Sequence, residues 1–142
     1  MENDVIGTEV TRIQASDPDL VDKLSYRLYS TADSASANKF EVDLWTGRIT
    51  IREPLDHEIQ RQHILNVEVK DQGLVTHRTY ARVVINIVDI NDHVPMFSAE
   101  SYSGQVFETA AVGTQVLEVY AYDRDEGINA EVTYSILSGN YI

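Results

Sequence analysis

Residues 81–92 read Ala-Arg-Val-Val-Ile-Asn-Ile-Val-Asp-Ile-Asn-Asp, and this stretch joins the two patterns that decide the fold. In its first part every second residue is apolar, namely Ala81, Val83, Ile85 and Ile87. A period of two is typical of a β-strand with one buried face. The oxygen-bearing side chains of Asp89, Asn91 and Asp92 follow directly. The stretch therefore predicts a strand that ends in an acidic segment.

The same alternation recurs at five earlier places in the chain. The apolar positions are Thr11, Ile13 and Ala15; Leu24, Tyr26 and Leu28; Phe40, Val42 and Leu44; Ile49 and Ile51; and Leu65, Val67 and Val69. Turn-forming residues separate these sets, at Asp17-Pro18-Asp19, Ser34 to Asn38, Thr46-Gly47, Pro54 and Gln72-Gly73. With a short strand expected before Gly7, about seven strands result, which predicts an all-β Greek-key sandwich of immunoglobulin-like architecture.

An internal repeat indicates that a second copy of this unit begins within the chain. Seven residues recur 106 positions later: Glu2, Gly7, Thr8, Val10, Ala15, Asp17 and Asp19 match Glu108, Gly113, Thr114, Val116, Ala121, Asp123 and Asp125. We therefore expect a first repeat at residues 1–92, a linker at 89–95 and the amino-terminal part of a second repeat at 96–142.

The second copy is expected to contain only about three strands, so its inner face would be uncovered. The apolar residues expected on that face are Val106, Leu117, Val119, Ala121, Val132, Tyr134 and Ile136. An open apolar face and an unpaired strand edge invite pairing with another chain. We expect either local disorder beyond the linker or completion by a partner.

Composition excludes several classes of function. Asp and Glu number 23 against 11 Lys and Arg, so the formal net charge is −12, and such a chain repels nucleic acid and anionic membranes. Cysteine is absent, which excludes disulfides and thiolate metal sites. No apolar run approaches the roughly 20 residues that span a bilayer. Residues 1–4 lack the features of a signal peptide, so we expect any export signal to lie further upstream.

The carboxylates are concentrated in short clusters. These clusters are Glu2, Asp56-His57-Glu58, the segment from Asp89 to Asp92, and Asp123-Arg124-Asp125 with Asn129. Calcium takes six to eight oxygen ligands at about 2.3 to 2.6 Å from carboxylates, amides and backbone carbonyls. The clusters supply these donors and therefore predict calcium sites.

Other chemistries fit the same residues poorly. An EF-hand loop starting at Asp89 would place Val94 where glycine is required, and no helices are predicted beside it. His57-Glu58 resembles the start of a zinc-protease motif, but Arg61 replaces the second histidine. His63, His77 and His93 have no nucleophile arrangement around them, so surface positions are expected for these three. We therefore expect no enzyme, no catalytic residue and no small-molecule substrate.

Together the motifs resemble the extracellular cadherin repeat over essentially the whole chain. In the first repeat they are Glu2-Asn3, Ala15-x-Asp17-x-Asp19, Phe40-x-Val42-Asp43, Thr46-Gly47-x-Ile49, Leu55-Asp56-x-Glu58, Val69-x-Asp71-x-Gly73 and Asp89-x-Asn91-Asp92-x-x-Pro95-x-Phe97. In the second they are Glu108, Val112-Gly113-Thr114, Asp123-x-Asp125-x-Gly127-x-Asn129 and Val132-x-Tyr134.

The resemblance implies three calcium ions between consecutive repeats. The first two would be bound by Glu2, Asp56, Glu58, Asp89, Asp92, the Ile90 carbonyl and Asp125. The third would be bound by Asn91, Asp123, Asp125 and the carbonyls of His93 and Asn129. Its last ligand would correspond to Asp71 in the second repeat, beyond the last residue of the sequence, so we expect this site to be weak or altered.

By the same resemblance, Asp17, Asp19 and Asp71 would face a preceding repeat, and the chain would be an internal piece of a longer array. No counterpart of the tryptophan that classical cadherins exchange lies near Met1, so strand exchange is not implied. The implied function is calcium-dependent cell adhesion at the extracellular surface, with a parent anchored by a single membrane span. The partners would be other cadherin repeats, in cis or in trans and homophilic or heterophilic.

Two alternatives to adhesion remain open. A calcium-stabilised structural or matrix spacer would use the same sandwich without an adhesive role. An enzyme or its carbohydrate-binding accessory domain is less favoured, because no pair of catalytic carboxylates can be placed outside the calcium clusters.

Overall fold

Six β-strands form the first of two units in the computed structural model, which describes residues 1–17, 24–73 and 75–139. The strands are β1 (Glu9–Arg12), β2 (Ser25–Thr31), β3 (Phe40–Val42), β4 (Arg48–Ile51), β5 (Gln62–Lys70) and β6 (Arg78–Asn86). A 3₁₀ helix, Ala35–Asn38, lies between β2 and β3, within the predicted turn from Ser34 to Asn38. The two units are Met1–Asp89 and Ile90–Ile142.

The six strands make two antiparallel sheets, one with the order β1-β4-β3 and the other with the order β2-β5-β6. The chain therefore crosses from one sheet to the other three times, between β1 and β2, between β2 and β3, and between β4 and β5. No α-helix occurs in the described part of the chain. The predicted all-β sandwich class is confirmed.

The core lies where the inward residues of both sheets meet. Its most buried members are Phe40, Ile49, Leu65 and Val67, each at most 1% exposed. Burying one such side chain contributes about 1.5 to 3 kcal/mol, so these positions hold the two sheets together.

The turn between β3 and β4 closes as the sequence predicts. The Asp43 carboxylate accepts hydrogen bonds from the Thr46 hydroxyl at 2.7 Å and from the Trp45 and Thr46 backbone N–H groups at 3.1 and 2.8 Å. These bonds lower the pKa of Asp43, the Thr46 hydroxyl having the largest effect. Gly47 follows with a φ of +64°, a conformation that side-chain-bearing residues rarely adopt.

The short strand expected before Gly7 does not form in the described residues. Two backbone turns occupy the segment instead, with Asp4 N–H donating to Met1 O at 3.2 Å and Thr8 N–H donating to Val5 O at 3.1 Å. A backbone group used inside a turn is not available to a strand ladder. Backbone hydrogen bonds still connect this part of the chain to the sheets: Glu2 N–H donates to Val88 O, two residues after β6, at 3.3 Å, and Gly7 N–H donates to Ile51 O of β4 at 2.7 Å.

The expectation that His63 lies on the surface is wrong. His63 is 2% exposed, and its Nδ1 lies 2.7 Å from the hydroxyl oxygen of Ser36. Ser36 also donates to Asp33 at 2.9 Å, and Gln60 donates to Asp33 at 3.0 Å. Burial lowers the pKa of His63, because the charged imidazolium loses its hydration.

The second unit contains one antiparallel pair, β7 (Met96–Phe97) and β8 (Ala121–Tyr122), and a 3₁₀ helix at Gly127–Ala130. Within residues 90–139 the second unit therefore has two strands, fewer than the three expected. Leu117, Val119 and Tyr134 are exposed, as an uncovered inner face predicts. Throughout the described ranges, no helix is long and apolar enough to cross a membrane.

Candidate metal centre

Three carboxylates of the first unit converge on one point. One oxygen each from Glu2, Asp56 and Glu58 lies within 4.8 Å of the other two. Glu2 comes from the amino-terminal segment, whereas Asp56 and Glu58 belong to the loop between β4 and β5. The fold therefore assembles a site that the chain order keeps apart.

Backbone hydrogen bonds fix Glu2 in this position. Its carboxylate Oε2 accepts the backbone N–H of His57 at 2.8 Å. The residue is only 4% exposed. A buried carboxylate needs such partners, because removing its charge from water is otherwise costly.

A tight turn brings the two loop carboxylates to the same side. Asp56 Oδ1 accepts the N–H of Ile59 at 2.8 Å, and the Asp56 carbonyl accepts the N–H of Gln60 at 2.9 Å. Aspartate commonly closes a turn in this way. Glu58 is held inside the turn, two residues after Asp56.

The His57 ring lies among the carboxylates, a contact that the sequence did not indicate. Its Nδ1 is 3.1 Å from Glu58 Oε1 and 3.6 Å from Asp89 Oδ1. The side chains of His57 and Asp89 are 5% and 12% exposed. One donor atom from each of His57, Glu58 and Asp89 lies within 4.8 Å of the others, so Glu58 belongs to both groups.

A smaller cluster lies in the second unit. His93 Nδ1 is 2.8 Å from Asp92 Oδ1 and 2.8 Å from Asp125 Oδ1. The His93 backbone N–H also donates to both oxygens of Asp125, at 3.2 and 3.3 Å, and the Asp125 side chain is fully buried. Asp125 N–H in turn donates to Asp123 Oδ1 at 3.0 Å. The His93 ring contact was not predicted, since only the His93 carbonyl was expected to act.

The remaining predicted ligands lie close to these clusters in the chain. Ile90 and Asn91 occupy the two positions between Asp89 and Asp92, with Ile90 half-buried and Asn91 exposed. Asn129 lies in the 3₁₀ helix Gly127–Ala130, four residues after Asp125.

Asp17 and Asp71, which are expected to face a preceding repeat, are not part of these acidic clusters. Asp71 is 5% exposed, and its carboxylate accepts the His77 N–H at 3.0 Å and lies 3.0 Å from His77 Nδ1. The hydrogen bond from the His77 backbone is the main cause of its lowered pKa. Asp17 is half-buried, and Asp19 lies outside the described residues.

The donor chemistry of the first cluster fits calcium. Two unit charges 4.8 Å apart repel by about 1 to 3.5 kcal/mol between the dielectric constants of water and of a protein surface. A divalent cation reverses this sign. Glu2, Asp56 and Glu58 supply only oxygen, which calcium prefers, whereas zinc sites in proteins are rich in nitrogen and sulfur.

Comparison with known proteins gives a consistent result. A family model described as the cadherin domain matches residues 1–88. The chain is 51% identical to human protocadherin Fat 1 over 94% of its length, and 44% identical to the Drosophila melanogaster Fat-like cadherin-related tumor suppressor homolog over 92%. It spans only 3% of the length of each of these relatives.

A solved structure agrees with the sequence matches. The crystal structure of mouse cadherin-23 EC22-24 superposes with a TM-score of 0.83 at 32% identity, and the match covers 98% of this chain and 44% of that one.

Proposed function

Because the chain belongs to the cadherin family, we propose that it is a calcium-dependent adhesion module of an extracellular protein. The observation that carries the proposal is the convergence of Glu2, Asp56 and Glu58, whose oxygens lie within 4.8 Å of one another. Carboxylates this close repel, and an oxygen-preferring divalent cation is the simplest means of stabilising them.

In this proposal each unit supplies its own ligands. The first unit contributes Glu2, Asp56, Glu58 and Asp89. The second unit contributes Asp92, Asp123, Asp125, the amide of Asn91 and the carbonyls of Ile90, His93 and Asn129. Asp89 and Asp92 are separated by only two residues, so ions held at these residues would restrict the backbone that connects the units.

The role of calcium is to neutralise the acidic clusters and stiffen the connecting segment. A stiff connection fixes the direction of successive repeats, so that a tandem array presents its surfaces at a defined distance. Extracellular calcium modules often bind with dissociation constants of about 10⁻⁴ to 10⁻³ M, which suits millimolar calcium outside cells. This affinity range and the family support an extracellular location, on a parent protein anchored in the membrane.

The partners we propose are other cadherin repeats, engaged in cis or in trans. We propose no enzymatic activity. The His63 ring lies 2.7 Å from the Ser36 hydroxyl, but the two residues are only 2% and 0% exposed, so a substrate cannot reach this pair. The contacts described between histidines and carboxylates lie at the acidic clusters or, for His77, beside Asp71.

Calcium stabilisation is the direct test. A ligand that binds only the folded state adds about 2.7 kcal/mol at a hundredfold excess over its dissociation constant. The melting temperature should therefore rise between chelator and millimolar calcium, and magnesium should substitute poorly because it needs a smaller, octahedral shell. A melting temperature that is the same in chelator and in calcium refutes calcium binding.

A matched pair of variants tests which carboxylates act. Asp92→Ala should weaken calcium binding more than Asp17→Ala in an isothermal titration, because Asp92 lies beside His93 and Asp125 whereas Asp17 is expected to face a preceding repeat. Equal losses in the two variants would show that the ions bind elsewhere.

A separate experiment distinguishes adhesion from a spacer role. Beads coated with the full-length extracellular region should aggregate in calcium and disperse in chelator. Calcium-dependent stability without aggregation, by itself or with beads that carry other cadherins, favours the calcium-stabilised structural spacer.

A further inference from the structure

The outward face of the β2-β5-β6 sheet is basic and aromatic, although the chain as a whole carries a net charge of −12. Alternate residues of β5 and β6, such as Val67 and Ile85, point into the core, so their neighbours along each strand point outward. The outward residues are Ser25, Arg27, Tyr29 and Ser30 of β2; Gln62, Ile64, Asn66, Glu68 and Lys70 of β5; and Arg78, Tyr80, Arg82, Val84 and Asn86 of β6.

The strand register places the cations in three successive rows. Ser25, Lys70 and Arg78 form the first row across the sheet, and Arg27, Glu68 and Tyr80 form the second. In the third row Asn66 pairs with Arg82. Because alternate residues of a strand are about 7 Å apart, the four cations make one continuous stripe.

Glu68 is the only acidic residue among the outward-facing strand residues named above, and its neighbours cover it. Arg27 Nε lies 2.7 Å from Glu68 Oε1, Arg78 Nη1 lies 3.7 Å from Glu68 Oε2, and the Tyr80 hydroxyl donates to Glu68 at 3.1 Å. Glu68 is 2% exposed, whereas the Arg27 and Arg78 side chains are 59% and 51% exposed. Arginine charge therefore faces solvent while the carboxylate charge does not.

Two tyrosines give the stripe flat apolar surfaces. The rings of Tyr29 and Tyr80 pack with centroids 5.0 Å apart, and the Arg27 guanidinium carbon lies 6.0 Å from the Tyr29 centroid. Both tyrosines are more than half exposed. These contacts, together with the ion pair between Arg27 and Glu68, hold Tyr29, Tyr80 and Arg27 in place while leaving all three exposed.

We propose that this face binds a sulfated polysaccharide. Four of the chain's 11 Lys and Arg residues lie on it against one buried acid, so it complements a polyanion although most of the protein repels one. Arginine binds oxyanions through two parallel N–H groups, and exposed tyrosine rings pack against sugar rings. The cations form an extended stripe, and a cavity of about 280 Å³ lined by Arg27, Lys70 and Arg78 opens on it. A linear polymer can lie along such a stripe and place one anionic group in the cavity. None of the proposed calcium ligands lies on this face, so the two proposals can fail separately.

The test uses heparin as the probe. The complete chain is passed over immobilised heparin in physiological salt with millimolar calcium throughout, and binding is measured by surface plasmon resonance. The test variant is Lys70→Gln/Arg82→Gln, which removes two cations and leaves Arg27 and Arg78 beside Glu68. The control is Arg48→Gln/Arg52→Gln, which makes the same charge change at exposed residues on and directly after β4 of the other sheet.

We expect heparin binding to weaken by about fivefold to thirtyfold in the test variant and to stay within twofold of wild type in the control. Desulfated heparin should bind weakly to every form. Melting curves confirm that both variants are folded.

Four results overturn the proposal. They are no binding of wild type to heparin, equal binding of sulfated and desulfated heparin, equal weakening in the two double variants, and unchanged binding in the folded test variant. An acidic protein that binds this face while heparin does not would make it a protein interface and would likewise refute the polysaccharide assignment.

Discussion

Replacing Glu2 with glutamine should raise the stability of the protein in chelator and reduce the additional stability that calcium provides. In the wild type the His57 N–H donates to Glu2 Oε2 at 2.8 Å. Glu2→Gln keeps the shape of the side chain and an oxygen that can accept this hydrogen bond. It removes one charge from a group of three whose oxygens lie within 4.8 Å of one another. The variant therefore separates charge from packing.

The magnitude follows from the distances. Each of the two repulsions that Glu2 makes, with Asp56 and with Glu58, is about 1 to 3.5 kcal/mol at 4.8 Å. Against this relief, the hydrogen bond from His57 weakens by about 1 kcal/mol when its acceptor becomes neutral. In chelator we therefore expect Glu2→Gln to be more stable than wild type by about 1 to 6 kcal/mol. In calcium, loss of a charged ligand should reduce the stabilisation by at least about 1.4 kcal/mol, which is a tenfold change in affinity.

Urea unfolding in chelator and in millimolar calcium measures both effects. The fluorescence of Trp45, the only tryptophan, reports on the first unit, and circular dichroism reports on all strands. Glu41→Gln on β3 is the matched control, because this exposed glutamate is not part of the cluster and its change should stay within about 0.5 kcal/mol in both conditions. The reasoning is refuted if Glu2→Gln is less stable than wild type in chelator, or if calcium stabilises both proteins equally.

Two further predictions concern the fold. Gly47→Ala should destabilise the first unit by about 3 kcal/mol or more, because its Cβ would lie 2.4 Å from the Ile13 carbonyl oxygen. Gly7→Ala has nothing within 4 Å of its Cβ and should cost only about 1 kcal/mol. Free energies of unfolding in urea that differ by less than about 0.5 kcal/mol between the two variants would contradict this. An NMR titration should show a pKa for His63 below the ordinary value of about 6.5. Because the pKa of His63 is lower in the folded state than in the unfolded state, its neutral form contributes its full stability above pH 6.5. This contribution should fall as the pH drops from 6.5 toward the pKa of the folded state. A titration midpoint at or above 6.5 would show that His63 is not buried as neutral imidazole.

The strands of the first unit were predictable because a period of two is a local property of the chain. The alternation of Phe40 with Val42, and of Leu65 with Val67, favours a strand whichever part of the protein covers its apolar side. The segment before Gly7 escaped prediction for the opposite reason. Its backbone groups choose between turns and a neighbouring strand, and that choice depends on tertiary contacts that no local pattern records.

The candidate site divides in the same way. Oxygen-bearing residue types are visible in the sequence, and the resemblance to cadherin repeats names a ligand set, which stays a prediction. The contact between Glu2 and His57, which are 55 residues apart, exists only in the folded chain. The positions of the His57 and His93 rings likewise depend on the side chains that surround them in the folded chain. The only related feature of the sequence is that His57 is next to Glu58 and His93 is next to Asp92.

The sequence by itself determined the sandwich class, the repeat of 106 residues and the acidic character of the segment around Asp89, because each is a matter of residue type and spacing along one chain. The tertiary structure alone decided which side chains meet across strands. It buried His63 beside Ser36, and it covered Glu68 with Arg27 while leaving a basic stripe exposed. Such outcomes depend on the register between strands, where a shift of one residue would turn every one of these side chains to the other face.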